Sequence, residues 1–406
     1  MPLPSVVERP GSLSIAGMGK ETTFGTAVAR TNFAPVKGLA VNSEPGLFYP
    51  PAMTGVRDLN IFPVYGQRSH KGNISGPFFP TNGIMALVGA VGRDGQVGYG
   101  VTGTSAGVLT TTLSVTANAN DTTVTLTSVT GLVSGSSYIQ IGVNAGGATA
   151  ECRKVTNIVG SVVTLDTALV YGHASGAAVT AVVAPYTHSI IRTNTLDSYT
   201  LEKNIGGYQS EIFAGARIGK YSLKMGAVNT EAEFTADMSA QNVAVSNSPT
   251  TPTVVNESAF AFSEATLSLF GVDVYQAQAV DVSIDNGLKE TWALSGQQDP
   301  AFITPVTSKI TGTYNVVFSS LNDANYGYFK KAIQDEVNGA LDLTIAHTGG
   351  AGSININIPL QRINKYSDDI KMTDIVMVPM SFEGEYSLST STLFTVTIVN
   401  NVWTAY

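Results

Sequence analysis

The sequence of 406 residues contains few of the side chains that usually carry chemistry. It has a single cysteine, Cys152, so no disulfide forms within the chain, and one thiol is compatible with synthesis in a reducing cytoplasm. Its four histidines do not stand at the spacings of metal ligands. The sequence therefore predicts neither a metal site nor a bound cofactor.

Charge is scarce as well. Asp, Glu, Lys and Arg make up 13% of the chain, about half the usual share. Two interpretations stay open: neighbouring copies cover much of the surface, or Ser, Thr, Asn and Gln replace charge on a β-rich surface. The net charge of -8 argues against a basic groove that grips nucleic acid, because phosphate binding depends on Lys and Arg. It allows DNA to pass nearby without being held.

Long apolar runs are also absent. No stretch approaches the ~18 apolar residues of a membrane-spanning helix. Residues 1–20 lack a basic segment followed by an apolar run, so no secretory signal is predicted. Glycine is abundant, with 41 residues, and Val, Thr and Ser are frequent. β-Branched side chains suit a pleated sheet and glycine suits turns, so the composition predicts a mainly β protein.

Two segments differ from the rest in composition. Residues 107–185 carry few charges and alternate as short strands at 123–127, 138–143 and 162–165, which predicts an inserted β-sandwich or barrel. Residues 41–66 are rich in proline and glycine and are predicted to form a long loop. Its apolar residues either contact a partner or fold over the loop's own core. The partner-contact candidates are Leu47, Phe48, Tyr49, Met53, Ile61 and Phe62.

An internal repeat is the most informative pattern. The segment 217–222 (RIGKYS) recurs at 362–367 (RINKYS), with five of the six residues identical. Residues 71–79 (KGNISGPFF) are echoed at 309–318 (KITGTYNVVF). Elements that recur in the same order indicate two copies of one unit.

Each echo is followed by a short helix predicted from its apolar spacing and capping residues, at 82–91 and at 322–337. The spacings of the two copies agree if residues 107–185 are an insertion into the first. The predicted first unit is then 1–106 with 186–245, and it includes an extended N-terminal arm at 1–40 and the long loop at 41–66. The predicted second unit is 255–406 with a C-terminal tail. A polar, turn-rich linker is predicted at 242–258.

Three segments resemble a known family. Residues 19–36 (GKETTFGTAVARTNFAPV) resemble the opening of phage tail tube proteins, as do the strand and short helix at 72–92 and the strands at 199–241. The best match is to long-tailed, siphovirus-like phages. The resemblance implies a β-sandwich with one flanking α-helix for each of the two repeated units, and the all-β insertion at 107–185 would then project outward. It also implies a structural, non-enzymatic protein of the virion tail, made in the host bacterial cytoplasm.

The resemblance further implies assembly. Subunits of the family join edge to edge into rings with an inner β-barrel, and the rings stack into a tube that conducts DNA without binding it specifically. Single-unit members form sixfold rings, so a duplicated chain is expected to close a ring of three, with six chains as the alternative. The other implied partners are the tape measure, tail terminator and distal tail proteins.

Several acidic residues alternate with apolar ones along predicted strands. A lumen that DNA slides through is expected to carry acids, because they repel phosphate. The alternative is an ordinary solvated outer face. The lumen-facing candidates are Glu231, Glu233, Asp237, Asp281, Asp285, Glu383 and Glu385.

Two motif matches raise enzymatic alternatives. Residues 98–103 (GYGVTG) fit the glycine pattern of dinucleotide sites, and 103–107 (GTSAG) fit a nucleophile elbow around Ser105. Both require a helix directly after the motif, whereas Thr-rich strand sequence follows here. We therefore predict no catalytic residue.

The remaining alternative is a phage or cell-surface adhesin that binds carbohydrate through residues 107–185. Sugar platforms favour exposed aromatic rings, and the chain has only two tryptophans, Trp292 and Trp403. This scarcity makes the adhesin the less favoured hypothesis. Self-assembly would separate the two hypotheses.

Overall fold

Strands dominate the structure, which confirms the predicted mainly β fold. The computed structural model describes residues 10–50, 63–94, 100–145, 149–226, 230–274, 277–317, 338–348, 352–367 and 375–406, with positions 334 and 350. The strands are β1 Ile15–Lys20, β2 Asn32–Ala34, β3 Gly38–Phe48, β4 Val64–Pro77, β5 Gly92–Asp94, β6 Thr102–Thr112, β7 Thr123–Thr125, β8 Tyr138–Ile141, β9 Glu151–Val159, β10 Val162–Leu165, β11 Ala178–Arg192, β12 Tyr199–Ile205, β13 Gln209–Gly226, β14 Glu233–Ala240, β15 Asn242–Ser246, β16 Ala265–Leu269, β17 Val272–Asp273, β18 Ala277–Asp285, β19 Leu288–Thr291, β20 Phe302–Pro305, β21 Lys309–Val317, β22 Gly339–Ala346, β23 Ser353–Tyr366, β24 Met377–Gly384 and β25 Thr395–Asn400.

One α-helix, α1 (Ile84–Val91), lies in the described part of the chain, together with two 3-10 turns, Gly11–Leu13 and Phe262–Glu264. The helix predicted at 82–91 is therefore confirmed. The helix predicted at 322–337 lies outside the described residues apart from position 334. No helix among the described residues has the length and apolar character needed to cross a membrane.

Contacts divide the chain into two units. Unit 1 contains Met1–Ala90, Asn194–Ala259 and Ala279–Thr313, and unit 2 contains the remaining segments. In unit 1, the long strand β13 belongs to two sheets. Its first half pairs with β12 and β15, and its second half pairs with β14 and β18. β1 and β2 extend the first sheet beyond β12, and β4 and β3 extend the second beyond β14. The extended arm predicted at 1–40 is therefore wrong at β1 and β2, which pair within a sheet.

Helix α1 packs against β12 and β13, and it can be buried because it is apolar on every side. Its side chains are almost fully buried, and Gly89 lies so close to Tyr199 and Ile218 that a larger residue would clash. The helix start is tied to a distant segment: Glu257 Oε1 accepts hydrogen bonds from the backbone N–H groups of Thr81 and Asn82, at 3.0 and 2.7 Å. Such an acceptor satisfies donors that have no partner within the helix.

Two local predictions are corrected. The loop predicted at 41–66 begins and ends as strand, because β3 and β4 pair from Gly38–Ser75 to Phe48–Val64; residues 51–62 lie outside the described residues. The linker predicted at 242–258 contains β15, which pairs with β13. Backbone hydrogen bonding to neighbouring strands, which is non-local, overrides the local turn signals in both segments.

The segment that resembles the family's opening surrounds a buried carboxylate. Glu21 follows β1 and is 7% exposed. Its two oxygens accept four hydrogen bonds of 2.7–2.9 Å, which tie the turn after β1 to β12 and β13. The donors are the Ser198 and Thr200 hydroxyls and the Gly25 and Gly215 N–H groups. A buried charge is tolerated when its acceptor sites are filled in this way.

Unit 2 contains Val91–Thr193, Phe260–Gln278 and Tyr314–Tyr406. Its long strand β23 repeats the role of β13: its first half pairs with β22 and β25, and its second half pairs with β24. β16 extends the sheet beyond β22, and β11 extends it beyond β25. The remaining strands of unit 2 belong mostly to the predicted insertion.

The insertion is a small barrel with its own core. Strands β6, β11, β8, β9, β10 and β7 pair in that order, and the bridge Leu113–Leu126 closes the circle. The core residues, among them Leu113, Ile139, Val155 and Val179, all lie within 107–185. The strands predicted at 123–127, 138–143 and 162–165 are confirmed as β7, β8 and β10.

The sequence repeat recurs as a repeat of strand irregularities. In β13 the pairing shifts between Ile218 and Lys220, and in β23 it shifts between the equivalent Ile363 and Lys365. A second shift lies at 213–216 in β13 and at the equivalent 358–361 in β23. Bulges bend a strand locally. The two long strands therefore share two bulges at the same offsets, which supports a common origin of the two repeats.

The observed units do not follow the predicted boundaries. Residues 279–313 belong to unit 1 because β18 pairs with β13, and residues 91–193 belong to unit 2 because β11 pairs with β25. Cross-strand contacts thus group segments that the repeat separates. The predicted division into repeats remains a prediction about how the chain arose.

The Glu21 cluster gives a test of this fold. We expect Glu21→Ala to lower the free energy of unfolding by about 3 kcal/mol or more, because several buried donors lose their acceptor. Urea denaturation would measure it. Glu44→Ala, which removes an exposed carboxylate in β3, is the control and should change stability by no more than about 0.5 kcal/mol. Equal effects of the two substitutions would contradict the role of Glu21.

Candidate functional site: a polar sheet face and its strand edges

The sheet formed by β4, β14, β13 and β18 in unit 1 has one apolar and one polar face. Ile74, Ala236, Tyr221 and Ile284 are cross-strand neighbours on the apolar face, and all are buried. Side chains alternate along a strand, so burial of this row directs the neighbouring residues to the other face. The core therefore positions the polar face.

The polar face is ordered in rows across the strands. The rows are Asn73–Asp237–Lys220–Asp285, Ser75–Thr235–Ser222–Ser283 and Glu233–Lys224–Asp281. Each lysine of β13 lies between an acid of β14 and an acid of β18. Cross-strand pairs of opposite charge each contribute about 0.2–1 kcal/mol. The acids thus form one column along β14 and another along β18, and the lysines of β13 form a column between them. A row of hydroxyl side chains separates the two charged rows.

This face brings together four of the predicted acidic residues, Glu233, Asp237, Asp281 and Asp285. Sequence reasoning missed Lys220 and Lys224, which lie on the same face. Their signal was present, because Lys220, Ser222 and Lys224 alternate with apolar residues within and after the repeated motif.

A fifth predicted acid, Glu231, lies just before β14. Its Oε1 is 2.6 Å from Nζ of Lys37, which also pairs with Glu233. The hydrogen bond from Lys37 lowers the pKa of Glu231, and the hydrogen bonds to both carboxylates raise the pKa of Lys37. All three side chains are exposed, so water and salt screen this cluster.

Asp281 is in a different environment. Burial raises the pKa of its carboxyl, and the nearby Lys224 and Lys220 oppose this effect. The neutral form is thus favoured by desolvation and the charged form by the lysine column.

The last two predicted acids lie in unit 2. Glu383 is opposite Arg362 in the β23–β24 pair. Glu385, just after β24, accepts a hydrogen bond from Arg362 Nε at 2.7 Å and one from Asn338 at 3.0 Å. These bonds lower the pKa of Glu385, with the Asn338 contact as the larger cause. Here too a cation of the repeated motif accompanies the acids.

The end of the β3–β4 hairpin carries exposed apolar side chains. Leu47, Phe48 and Tyr49 are 45%, 52% and 41% exposed, and the neighbouring strand adds Val64 and Tyr65. We call these five residues the hairpin-end patch. The other predicted contact residues, Met53, Ile61 and Phe62, lie outside the described residues. Adjacent exposed apolar residues of this kind often mark a binding surface.

Strand edges next to the polar face differ in how they are covered. The second half of β13 has β14 on one side and β18 on the other. In the equivalent half of β23, β24 covers one side, and no described strand lies beside residues 363–365 on the other. β3 pairs with β4, and its other side faces no strand in the described part of the chain. Open edges of this kind can pair with another chain.

Two residues whose side chains could act as nucleophiles, Ser105 and Cys152, lie in positions that do not suit catalysis. Ser105 lies within strand β6, so no helix follows it. Cys152 is buried, and burial raises the pKa of its thiol to about 12. Over the described ranges, no three His, Cys, Asp or Glu residues come together as metal ligands.

A comparison with protein families finds one matching model, described as phage tail tube protein, over residues 11–384. The match includes the buried Glu21 turn, the polar face of unit 1 and all of β24. A comparison with curated proteins finds no match.

Asp281 allows a test of the electrostatics. A raised pKa means that the folded protein holds this proton more tightly than the unfolded chain, so stability falls as pH rises above 3.8. We expect Asp281→Asn to raise the midpoint of thermal unfolding at about pH 7 and to have little effect near pH 3. Asp285→Asn, at an exposed position of the same strand, is the matched control. A lower midpoint for Asp281→Asn at neutral pH would contradict the assignment.

Proposed function

Because this chain belongs to the family of phage tail tube proteins, we propose that it assembles into stacked rings forming the tube through which DNA leaves the virion. Membership makes it a structural component of a phage tail that associates with itself and with other tail components. What we propose beyond membership is that the chains close into rings and that DNA passes through them.

The pairing of β13 with β18 carries the proposal. In sequence order, β18 precedes β21 as β3 precedes β4, and β4 and β21 contain the echoed segments. β18 is therefore the counterpart of β3 in the second repeat. Its pairing with β13 joins an edge of one repeat to an edge of the other, with Lys220 opposite Asp285 and Lys224 opposite Asp281. We call this pairing of an edge of one repeat with an edge of the other a joint. The proposed ring would need such a joint between all neighbouring repeats, and the β13–β18 pairing would be one that forms within the chain.

The same joint can form between chains. The equivalent of β13 is β23, and the equivalent of β18 is β3, and both present an edge that no described strand covers. We propose that residues 363–365 of one chain pair with β3 of the next. Repeating this step closes a sheet and removes its edges, which stabilises a ring against uncontrolled aggregation.

A ring of three chains follows from the duplication. Each chain would contribute one internal joint and one joint to its neighbour, so three chains supply six repeats. A ring of six chains is the alternative. The internal joint is favoured because its two strands belong to one chain and meet at a high effective concentration.

The polar face is the proposed inner surface of the tube. Its acids repel phosphate, and each lysine of β13 has an acid on both sides. The lysines offset repulsion between neighbouring acid columns, while their acidic neighbours keep them from acting as a phosphate-binding patch. DNA would then slide along a surface that neither holds it nor carries a large charge.

Other surfaces complete the proposal. The hairpin-end patch would contact the next ring, because its apolar side chains would otherwise remain in water. The barrel at 107–185 would project from the outside of the tube. The tape measure, tail terminator and distal tail proteins would be further partners, and synthesis would take place in the host bacterial cytoplasm.

Ring size can be measured directly. Native mass spectrometry of purified rings is expected to give a mass of about 127 kDa, since three chains of 42.4 kDa form each ring. Electron microscopy of the same sample should show stacked rings with three repeats of the barrel around the wall. Six chains per ring would exclude the proposed trimer, whereas a persistent monomer would count against tube formation itself.

The inner surface can be located by chemical labelling, because native Cys152 is buried. We expect Asp237→Cys to react with a bulky maleimide in the monomer and to be protected in assembled tubes. Ser175→Cys, at an exposed position of the barrel, should react in both states if the barrel faces outward. Undiminished labelling at position 237 in tubes would show that the polar face is not in the lumen.

A further inference from the structure

Unit 2 contains a cleft that the proposed tube does not use. It lies where strands β6, β8 and β11 of the barrel approach residues 401–403. Its volume is about 420 Å³, within the range of roughly 300–1,000 Å³ for small-molecule sites. The cleft is therefore large enough for a ligand.

Three aromatic residues line the cleft. The ring centroid of Tyr138 lies 5.5 Å from that of Trp403 and 6.2 Å from that of Tyr186. Tyr186 is buried, whereas Tyr138 and Trp403 are only partly buried. Tyr138 and Trp403 thus leave part of their surface accessible, and the buried Tyr186 packs against Tyr138.

The polar groups in the cleft are neutral. No charged side chain is among the described residues that line it. The lining residues include Ser136, Tyr138, Asn401 and Trp403. Their side-chain hydroxyl, amide and indole groups have no hydrogen-bond partner among the described residues. Together they offer both donors and acceptors to a ligand.

This combination selects the class of ligand. A charged ligand would find no opposite charge in the cleft. A wholly apolar ligand would take these polar groups out of water without replacing their hydrogen bonds. A neutral sugar has hydroxyls for the polar groups and a C–H face that packs on aromatic rings. We propose that the cleft binds a neutral mono- or disaccharide, an activity separate from tube formation.

Sugar binding can be measured by the fluorescence of Trp403, which lines the cleft. In the full-length chain with Trp292→Phe, Trp403 is the only tryptophan left to report on the cleft. We expect titration with methyl glycosides of glucose, galactose, mannose and N-acetylglucosamine to give a saturable change in its emission with at least one sugar. A dissociation constant of about 1 mM is expected for so small a ligand. Saturation-transfer NMR on the unmodified protein should show contact at the sugar C–H protons.

Variants separate the cleft from the rest of the surface. Asn401→Ala should weaken binding about three- to tenfold, as expected for the loss of one or two hydrogen bonds. Asn157→Ala, which removes an exposed amide from β9 outside the cleft, is the matched control and should leave binding unchanged. Glucuronate should bind more weakly than the neutral glucoside.

Three results would overturn the proposal. They are no saturable response to any neutral sugar, equal effects of the two asparagine substitutions, or tighter binding of glucuronate. Tube assembly of each variant, followed by electron microscopy, shows independently that the protein is folded. Failure of sugar binding with intact tubes would leave the tube function untouched.

Discussion

The structure depends on long strands that each belong to two sheets. A straight strand has only two edges, so β13 takes four principal neighbours by pairing with one set along its first half and another along its second. Bulges make this possible, because extra residues bend the strand and change its register. Gly215 lies at the first bulge with φ of +67°, a conformation that glycine adopts without the steric cost of a side chain. The core, helix α1 and the polar face are arranged around that bend.

On the polar face, the positions of the charged side chains are set by the burial of apolar side chains on the opposite face of the sheet. Tyr221 and Ile284 face the core because their apolar surface is buried there, and this places Lys220 on the other face, directly between Asp237 and Asp285. A shift of one residue in either strand would turn the charges inward. The balance of acids and lysines is therefore a consequence of register. In the proposed lumen, the same register keeps the cations neutralised.

A duplicated unit would give the proposed assembly a simple physical advantage. Half of the joints in a ring would be formed on folding of the chain, before any encounter between subunits. The joints that remain would use the same strands and the same kind of pairing, so no second type of interface is needed. The cleft beside Trp403 lies outside this scheme, which is why a separate binding activity is compatible with it.

Much of the fold could be predicted from local patterns. The sequence predicted the β-rich fold, the helix at 84–91, several barrel strands and the repeated motif. These features are local, because side-chain alternation and helix signals are properties of neighbouring residues. Glu21 could be recognised in the sequence only as part of the segment that resembles the family, and its structural role could not be predicted. Its burial and its four hydrogen bonds depend on Ser198, Thr200 and Gly215, which are distant along the chain.

Local sequence patterns were enough to predict a mainly β protein, a repeated motif and acids that alternate with apolar residues along the strands. Tertiary structure alone decided that Lys220 separates two acid columns, that 41–66 begins and ends as a hairpin, and that β18 joins β13. It also brought Tyr138 beside Trp403 to form a cleft. The reason is the same in each case: strand pairing and register are set by contacts between distant segments, which alternation along one strand does not specify.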